Sequence, residues 1–209
     1  MENCPDKPFE LSLPENGGCS IALIGSTRAG KTHCLIQLLN KYFKNHCAVL
    51  MTGSPQAQIY KGAPKHIIQA PQYLPRVIKD FAMINKETDN NYEFLAVLDD
   101  IVTGVKFDKE VLKLLTIYRN SNCSAIISAQ AMTLLNSAGR TNINFVFCFK
   151  LNSEEQIEKV IKAYLSSYFP PGMKMLEKIR HYRLLTEDHH FFVIDNYNGG
   201  VFRTKCPEK

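Results

Sequence analysis

The chain has 209 residues, of which 45% are hydrophobic and 22% are charged, and its formal net charge is +5. This length and composition are those of one ordinary globular domain, and no apolar stretch approaches the roughly 18 residues of a membrane-spanning helix. We therefore expect one domain over residues 1–209 with no membrane segment. The polar, acidic amino-terminal segment does not resemble a signal peptide, and several of the seven cysteines lie inside apolar runs, as reduced thiols of a cytosolic protein do, so we expect a cytoplasmic location. The positive charge permits a polyanionic partner but does not require one.

Short apolar segments alternate along the chain with segments whose apolar residues recur at helical spacing. The apolar segments predict strands at residues 19–25, 47–51, 94–98, 124–128 and 143–149. Helices are predicted at residues 31–43, 72–84, 108–119 and 153–165, with a basic helix after the Pro170-Pro171-Gly172 break. This alternation predicts an α/β fold with a mostly parallel central sheet flanked by helices on both faces, and residues 191–202 predict a C-terminal hairpin.

The strongest motif is a phosphate loop. The residues Gly25-Ser26-Thr27-Arg28-Ala29-Gly30-Lys31-Thr32 match the pattern GxxxxGK[S/T] between a predicted strand and a predicted helix. The glycines let the backbone approach phosphate oxygens, and the first N–H groups of the helix point toward the anion. We predict that these residues bind ATP, with Lys31 at the β- and γ-phosphates and the Thr32 hydroxyl as a ligand of Mg²⁺.

Polar side chains end two of the other predicted strands. The strand at residues 94–98 is followed by Asp99 and Asp100, at the edge of a parallel sheet where ligands bind. Asp99 fits the Mg²⁺-holding role, and Asp100 is a candidate for orienting or deprotonating the attacking water. The next apolar strand along the chain ends in Gln130. Gln130 would reach the γ-phosphate or its water if its strand lies between the phosphate-loop strand and the Asp99 strand.

The three motifs GSTRAGKT, FLAVLDD and AIISAQ stand in an order that resembles the FtsK–HerA branch of P-loop ATPases, within the ASCE class of P-loop NTPases. Inside that branch the chain resembles the genome-packaging ATPases of poxviruses, other large DNA viruses and virophages. The resemblance covers about residues 19–150, the expected ATPase core, and leaves residues 151–209 as a C-terminal extension. Lys31 and Thr32, the acidic pair and Gln130 match the family's site residues. Many relatives carry Glu where this chain has Asp100, whose side chain is one methylene shorter.

The resemblance implies a homo-oligomeric ring, a hexamer or a pentamer, that hydrolyses ATP to translocate double-stranded DNA into a capsid. A capsid or portal protein would then be a partner, and the host cytoplasm or the virion would be the location. The sequence does not separate packaging from another ring-motor task such as plasmid transfer.

The family also uses an arginine that reaches into the neighbouring subunit's site, where it stabilises charge on the transferred phosphoryl group. Arg119 and Arg140 are the candidates, and both are expected near strand ends on the rim of the ligand crevice. Arg28 of the phosphate loop is a third residue that can face a neighbour. The sequence does not choose among them.

Packaging requires contacts with the DNA backbone, and such contacts come from Lys and Arg side chains. The basic helical segment after Gly172 contains Lys174, Lys178 and Arg180, and the loop before the helix at 108–119 contains Lys106. We predict that these four residues contact DNA. The alternative interpretation is an ordinary solvated helix face.

Three other functions would use the same phosphate loop. A small-molecule P-loop kinase would pass the phosphoryl group to an acceptor hydroxyl, but it would not need a glutamine at the strand end. A GTP switch would carry an NKxD motif, whereas Asn85-Lys86 is followed by Glu87-Thr88-Asp89, one residue too long. A non-catalytic nucleotide-binding scaffold is disfavoured by the acidic pair.

Overall fold

The computed structural model describes residues 6–53, 57–101, 109–131 and 137–207. Its strands are β1 (Ser20–Ile24), β2 (Cys47–Thr52), β3 (Ile68–Ala70), β4 (Phe94–Asp99), β5 (Cys123–Ala129), β6 (Phe145–Cys148), β7 (His190–Asp195) and β8 (Val201–Lys205). They form one sheet in the order β3-β2-β4-β5-β1-β6-β7-β8. The strands β1 to β6 are parallel, whereas β7 pairs antiparallel with both β6 and β8. The predicted α/β class and the C-terminal hairpin are therefore confirmed.

The helices of the described residues are α1 (Lys31–Tyr42), α2 (Pro75–Glu87), α3 (Lys109–Thr116), α4 (Ser137–Thr141), α5 (Glu154–Val160) and α6 (Met175–Leu185). Two short 3-10 helices lie at Ala57–Tyr60 and Tyr118–Ser121, and a π-helical turn at Ile161–Leu165 continues α5. No helix of the described residues is long and apolar enough to cross a membrane.

Successive strand residues face two separate apolar layers. In β1, Ile21 and Leu23 pack in the layer that contains α1, whereas Ala22 and Ile24 pack in the layer that contains α2, α3, α5 and α6. The five residues of β1 are all buried. Burial on both faces explains why the central strands are continuous apolar runs rather than alternating apolar and polar residues.

Some element boundaries differ from the predicted ones, for reasons that lie in the local sequence. Helix α2 begins at Pro75 rather than at residue 72, because proline suits the first turn of a helix. The predicted helix at 108–119 ends at Thr116 and is followed by a 3-10 turn. The edge strand β3 has only 3 residues, two of them exposed, so no apolar run marks it in the sequence.

The chain after residue 151 adds to the sheet on the β6 side. Strand β7 pairs with β6 from Phe145 opposite Asp195 to Cys148 opposite Phe192. Helix α6 covers this part of the sheet through the buried Tyr182, whose hydroxyl donates a hydrogen bond of 2.6 Å to the carbonyl of Phe149. The loop before β7 and the end of β8 consequently lie on one side of β1, and the acidic strand β4 lies on the other.

Candidate nucleotide-binding site

The phosphate loop leaves the carboxyl end of β1 and is held by both neighbouring strands. The N–H of Gly25 donates to the carbonyl of Ala129 (3.1 Å) after β5, and the N–H of Ser26 donates to the carbonyl of Lys150 (2.9 Å) after β6. Gly30 is the N-cap of α1 with φ of 100°, a left-handed conformation that glycine adopts readily. The sequence therefore folds into a loop that leads directly into the helix amino terminus.

The remaining loop residues form its exposed tip. Thr27 and Arg28 are exposed, and Arg28 has φ of 64°. The N–H of Ala29 donates to the carbonyl of Ser26 at 3.2 Å, which closes the turn. Arg28 is thus available on the surface to contact phosphate or a neighbouring subunit.

Lys31 lies at the base of the loop, 7% exposed. Its Nζ donates to the carbonyls of Gly25 (2.7 Å) and Ser26 (3.1 Å). Burial lowers the pKa of Lys31, and the carboxylates of Asp100 and Asp99 act in the opposite direction. The structure therefore brings the lysine and the acidic pair together within electrostatic range.

The acidic pair and Gln130 end adjacent strands at the same edge of the sheet. Asp99 is the last residue of β4 and is 2% exposed, and Asp100 follows it exposed, with φ of 53°. Strand β5 lies between β4 and β1, with Ser128 opposite Asp99. Gln130 follows the last residue of β5 and is exposed. This is the strand order on which the predicted role of Gln130 depends.

Tyr60 is a site residue that the sequence analysis missed. Its hydroxyl lies 2.5 Å from Oδ2 of Asp99 and 3.1 Å from Oγ1 of Thr52, and the side chain is 2% exposed. Because a phenol has one proton, Tyr60 donates to Asp99 and accepts from Thr52. Burial raises the pKa of Tyr60, and the carboxylate of Asp99 raises it further, so the phenol stays protonated. The only signal in the sequence was an aromatic residue in a polar segment.

The pKa of Asp99 reflects two opposing influences. Burial raises this pKa, while the hydroxyls of Ser128 and Tyr60 lower it, and the net shift is upward. The charge of Asp100 adds to the increase, and that of Lys31 opposes it. The hydrogen bonds from these two hydroxyls therefore offset part of the effect of burial on the pKa of Asp99.

The oxygen atoms at this edge fit a hydrated Mg²⁺. Thr32 is half-buried in the first turn of α1, and the buried Ser128 lies opposite Asp99 on the neighbouring strand. Together with the carboxylates of Asp99 and Asp100, these hydroxyls are the oxygen ligands that Mg²⁺ and its water shell prefer. The donor set thus suits a metal–nucleotide complex.

The structure separates both arginine candidates from the phosphate loop. The carbonyl of Arg119 accepts from the N–H of Gly18 (2.7 Å), before β1 begins. Arg140 lies two residues before Asn142, whose carbonyl accepts from the hydroxyl of Ser20 (2.9 Å) at the start of β1. The expectation that both lie on the crevice rim is wrong, because each precedes its strand and so lies toward the amino edge.

The predicted DNA-binding residues lie on α6, away from the acidic pair. Lys174 is the N-cap residue and is exposed, as is Arg180, while Lys178 is half-buried with its Nζ 5.9 Å from the centre of the Phe169 ring. We call Lys174, Lys178 and Arg180 the α6 basic patch. Lys106 lies outside the described residues.

Several solved structures share this fold at low sequence identity. The genome packaging NTPase B204 of Sulfolobus turreted icosahedral virus 2, in complex with AMP, is 12% identical with a TM-score of 0.66, over 92% of this chain and 100% of B204. EssC (ATPases 2 and 3) of Geobacillus thermodenitrificans is 10% identical with a TM-score of 0.63, over 90% of this chain and 39% of EssC. The conjugation coupling protein TcpA of pCW3 is 14% identical with a TM-score of 0.55, over 90% and 60%.

No curated protein sequence matches the chain. A family model described as Poxvirus A32 protein matches residues 12–177, which include the phosphate loop, the acidic pair and Gln130. This match confirms the predicted resemblance to the poxvirus type of P-loop ATPase. The chain belongs to the Poxvirus A32 protein family.

Proposed function

We propose that this chain is an ATP-hydrolysing motor that translocates double-stranded DNA and packages a viral genome into a capsid. The observation that carries the proposal is the phosphate loop at the end of β1, with Lys31 in electrostatic range of Asp99 and Asp100. Membership of the Poxvirus A32 protein family and a fold shared with the viral genome packaging NTPase B204 support the packaging role. The host cytoplasm or the virion is the corresponding place of action.

The loop from Gly25 to Thr32 binds the phosphates of ATP. Its backbone N–H groups and the first turn of α1 supply hydrogen-bond donors and a partial positive charge. Lys31 exchanges its bonds to the loop carbonyls for bonds to β- and γ-phosphate oxygens, which are stronger because both partners are charged. Because the Lys31 side chain is already buried at the base of the loop, a rotation of the side chain is enough for this exchange.

Hydrolysis uses the side chains at the ends of β4 and β5. Asp99 and the hydroxyl of Thr32 would hold Mg²⁺, which when bound neutralises charge on the phosphate oxygens. Asp100 accepts a hydrogen bond from the attacking water and orients or deprotonates it. Gln130 contacts the same water or the γ-phosphate. Both side chains are exposed, so nucleotide and water can reach them.

A neighbouring subunit completes the site. Arg119 and Arg140 lie toward the opposite edge of the sheet, so either one acts only on the nucleotide of another subunit in a ring. Such an arginine stabilises the charge that develops on the transferred phosphoryl group. Hydrolysis then depends on assembly, as a coordinated motor requires.

The α6 basic patch supplies contacts with the phosphates of DNA. Among the described residues, the ion pair that α6 forms joins Arg183 to Glu154 at 3.1 Å. It does not include the three residues of the patch. Contacts of this kind are independent of DNA sequence, as genome translocation demands. A capsid or portal protein is the expected further partner.

The test is ATP turnover by the purified protein with and without double-stranded DNA, at several protein concentrations. We expect turnover that rises with DNA and more than linearly with protein, because the sites are shared between subunits. The Lys31→Ala variant should lose at least about a hundredfold in turnover, the scale for removing a charge-stabilising group. Lys44→Ala, which changes an exposed lysine on the turn after α1, is the matched control.

Three results would contradict the proposal. Full activity of Lys31→Ala would refute the site assignment. Turnover that ignores both DNA and protein concentration would favour a monomeric phosphotransferase, and a requirement for an added nucleoside acceptor would establish the small-molecule kinase instead.

A further inference from the structure

A cavity of about 330 Å³ adjoins the phosphate loop on the side away from the acidic pair. Its walls include Gly30 of the loop, His33 of the first turn of α1, Phe149 after β6, His189 before β7, and Pro207 after β8. Its volume is at the lower end of the range for small-molecule sites, which is about 300–1,000 Å³. The cavity therefore suits a ligand the size of a nucleoside.

The sheet order sets the direction in which a bound nucleotide must extend. Strands β5 and β4 flank β1 on one side and bring the acidic pair to Lys31, which marks the γ-phosphate end. Strands β6, β7 and β8 flank β1 on the other side and build the cavity. A triphosphate laid across the helix amino terminus therefore points its ribose and base toward His33 and the cavity.

The walls of the cavity match the flat, aromatic faces of a purine. Phe149 and Phe191 are buried and stack on each other, with ring centroids 4.4 Å apart at 29°, so they form a rigid apolar floor. Nε2 of His33 lies 3.0 Å from the carbonyl oxygen of Pro207, which fixes that ring at the edge of the cavity. Nδ1 of His189 lies 3.6 Å from the position of an added Cβ on Gly30, so this imidazole stands beside the phosphate loop.

The backbone before β7 holds His189 in this place. Asp188 and His189 both have left-handed conformations, with φ of 51° and 62°, which residues other than glycine seldom adopt. The N–H of His190 donates to the carbonyl of Glu187 at 3.0 Å and closes the turn. The tight turn projects the imidazole toward the loop rather than along the strand.

We propose that this cavity, the base pocket, binds the base and ribose of ATP, with His33 and His189 contacting the base and the segment after β8 closing one wall. This inference rests on the proposed function, because it assumes that the phosphate loop binds a nucleoside triphosphate. It adds that the C-terminal hairpin, and not only the motifs before residue 150, is part of the nucleotide site.

The test compares two ligands by calorimetry: magnesium ATP, and magnesium tripolyphosphate, which has the phosphates but no base. The wild-type protein should bind ATP more tightly. His189→Ala and His33→Ala should each lower the ATP affinity by about tenfold, as expected when an aromatic contact with a base is removed, and should leave tripolyphosphate affinity unchanged. His66→Ala, at an exposed histidine before β3, is the control and should change neither affinity.

The outcomes separate this inference from the proposed function. Equal wild-type affinity for the two ligands, or equal losses for both ligands in the histidine variants, would overturn the base pocket and leave phosphate binding intact. A wild-type protein that binds neither ligand would overturn nucleotide binding itself. The wild-type comparison remains decisive if an alanine variant does not fold, and thermal unfolding without nucleotide identifies such a variant.

Discussion

The hydrogen bond from Tyr60 to Asp99 can be tested by the substitution Tyr60→Phe. This change removes one oxygen atom, which lies 2.5 Å from Oδ2 of Asp99 and 3.1 Å from Oγ1 of Thr52, and leaves the buried ring in place. The hydroxyl lowers the pKa of Asp99 against the larger effect of burial, which raises it. Removing the hydroxyl must therefore raise the pKa of Asp99 further.

The size of the effect follows from the strength of the bond. A hydrogen bond to a charged group contributes about 1.5–3 kcal/mol, and 1.4 kcal/mol is a factor of ten in an equilibrium constant. At any pH on the acid side of the profile, the ratio of ionised to protonated Asp99 should fall by about tenfold or more. Since a protonated carboxyl does not hold Mg²⁺, the acid limb of ATP turnover should move to higher pH, while turnover at alkaline pH is retained.

The assay is the initial rate of ATP hydrolysis against pH at saturating magnesium ATP. Tyr42→Phe is the control, because the hydroxyl of Tyr42 accepts from the N–H of Leu11 at 2.8 Å and makes no contact with the acidic pair. An acid limb that stays in place or moves to lower pH in Tyr60→Phe would refute the role of this bond. The same shift in Tyr42→Phe would show that the effect is general to the fold.

Three further predictions concern the loop, the arginines and DNA. Gly25→Ala should destabilise the protein by about 1–3 kcal/mol, measured by denaturant unfolding, because the new Cβ would lie 2.5 Å from Cβ of Phe149; unchanged stability would contradict this packing. Either Arg119→Ala or Arg140→Ala should keep ATP affinity but lose turnover by about a thousandfold; normal turnover in both would place the shared arginine elsewhere. Exchanging the α6 basic patch for glutamines should reduce the slope of log affinity for double-stranded DNA against log salt by up to about 2.7, whereas an unchanged slope would remove the patch from the DNA interface. Its control is the same exchange at three exposed lysines, Lys61, Lys65 and Lys79.

The sequence predicted those site residues that can be recognised from a single strand and the residues directly after it. Gly25 to Thr32 form a local motif, and Asp99 and Gln130 each follow a buried apolar run. In a parallel sheet such endings share one edge, so their grouping could be predicted from chain order with one assumption, that β5 lies between β4 and β1. The structure has that order.

Features that depend on contacts between distant segments could not be predicted. Tyr60 meets Asp99 across 39 positions in the sequence, from a short 3-10 helix without apolar periodicity. His33 and Pro207 are 174 positions apart and meet only because the antiparallel hairpin returns beside β6. The edge occupied by Arg119 was misjudged because it depends on whether the residue precedes or follows its strand. Unlike the other features, this one could have been predicted, because the predicted strand at residues 124–128 follows Arg119 in the sequence.

The two edges of the sheet together constrain how subunits associate. ATP binds at the carboxyl edge in the proposed mechanism, whereas Arg119 and Arg140 lie toward the amino edge. An arginine from one subunit reaches the nucleotide of another only if the amino edge of the first meets the carboxyl edge of the second. Such a contact joins two different surfaces, so it is heterologous, and repeating it produces a closed ring or an open helix but never a twofold dimer. In the proposed mechanism, the positions of these side chains thus exclude a twofold dimer as the active assembly and agree with a ring.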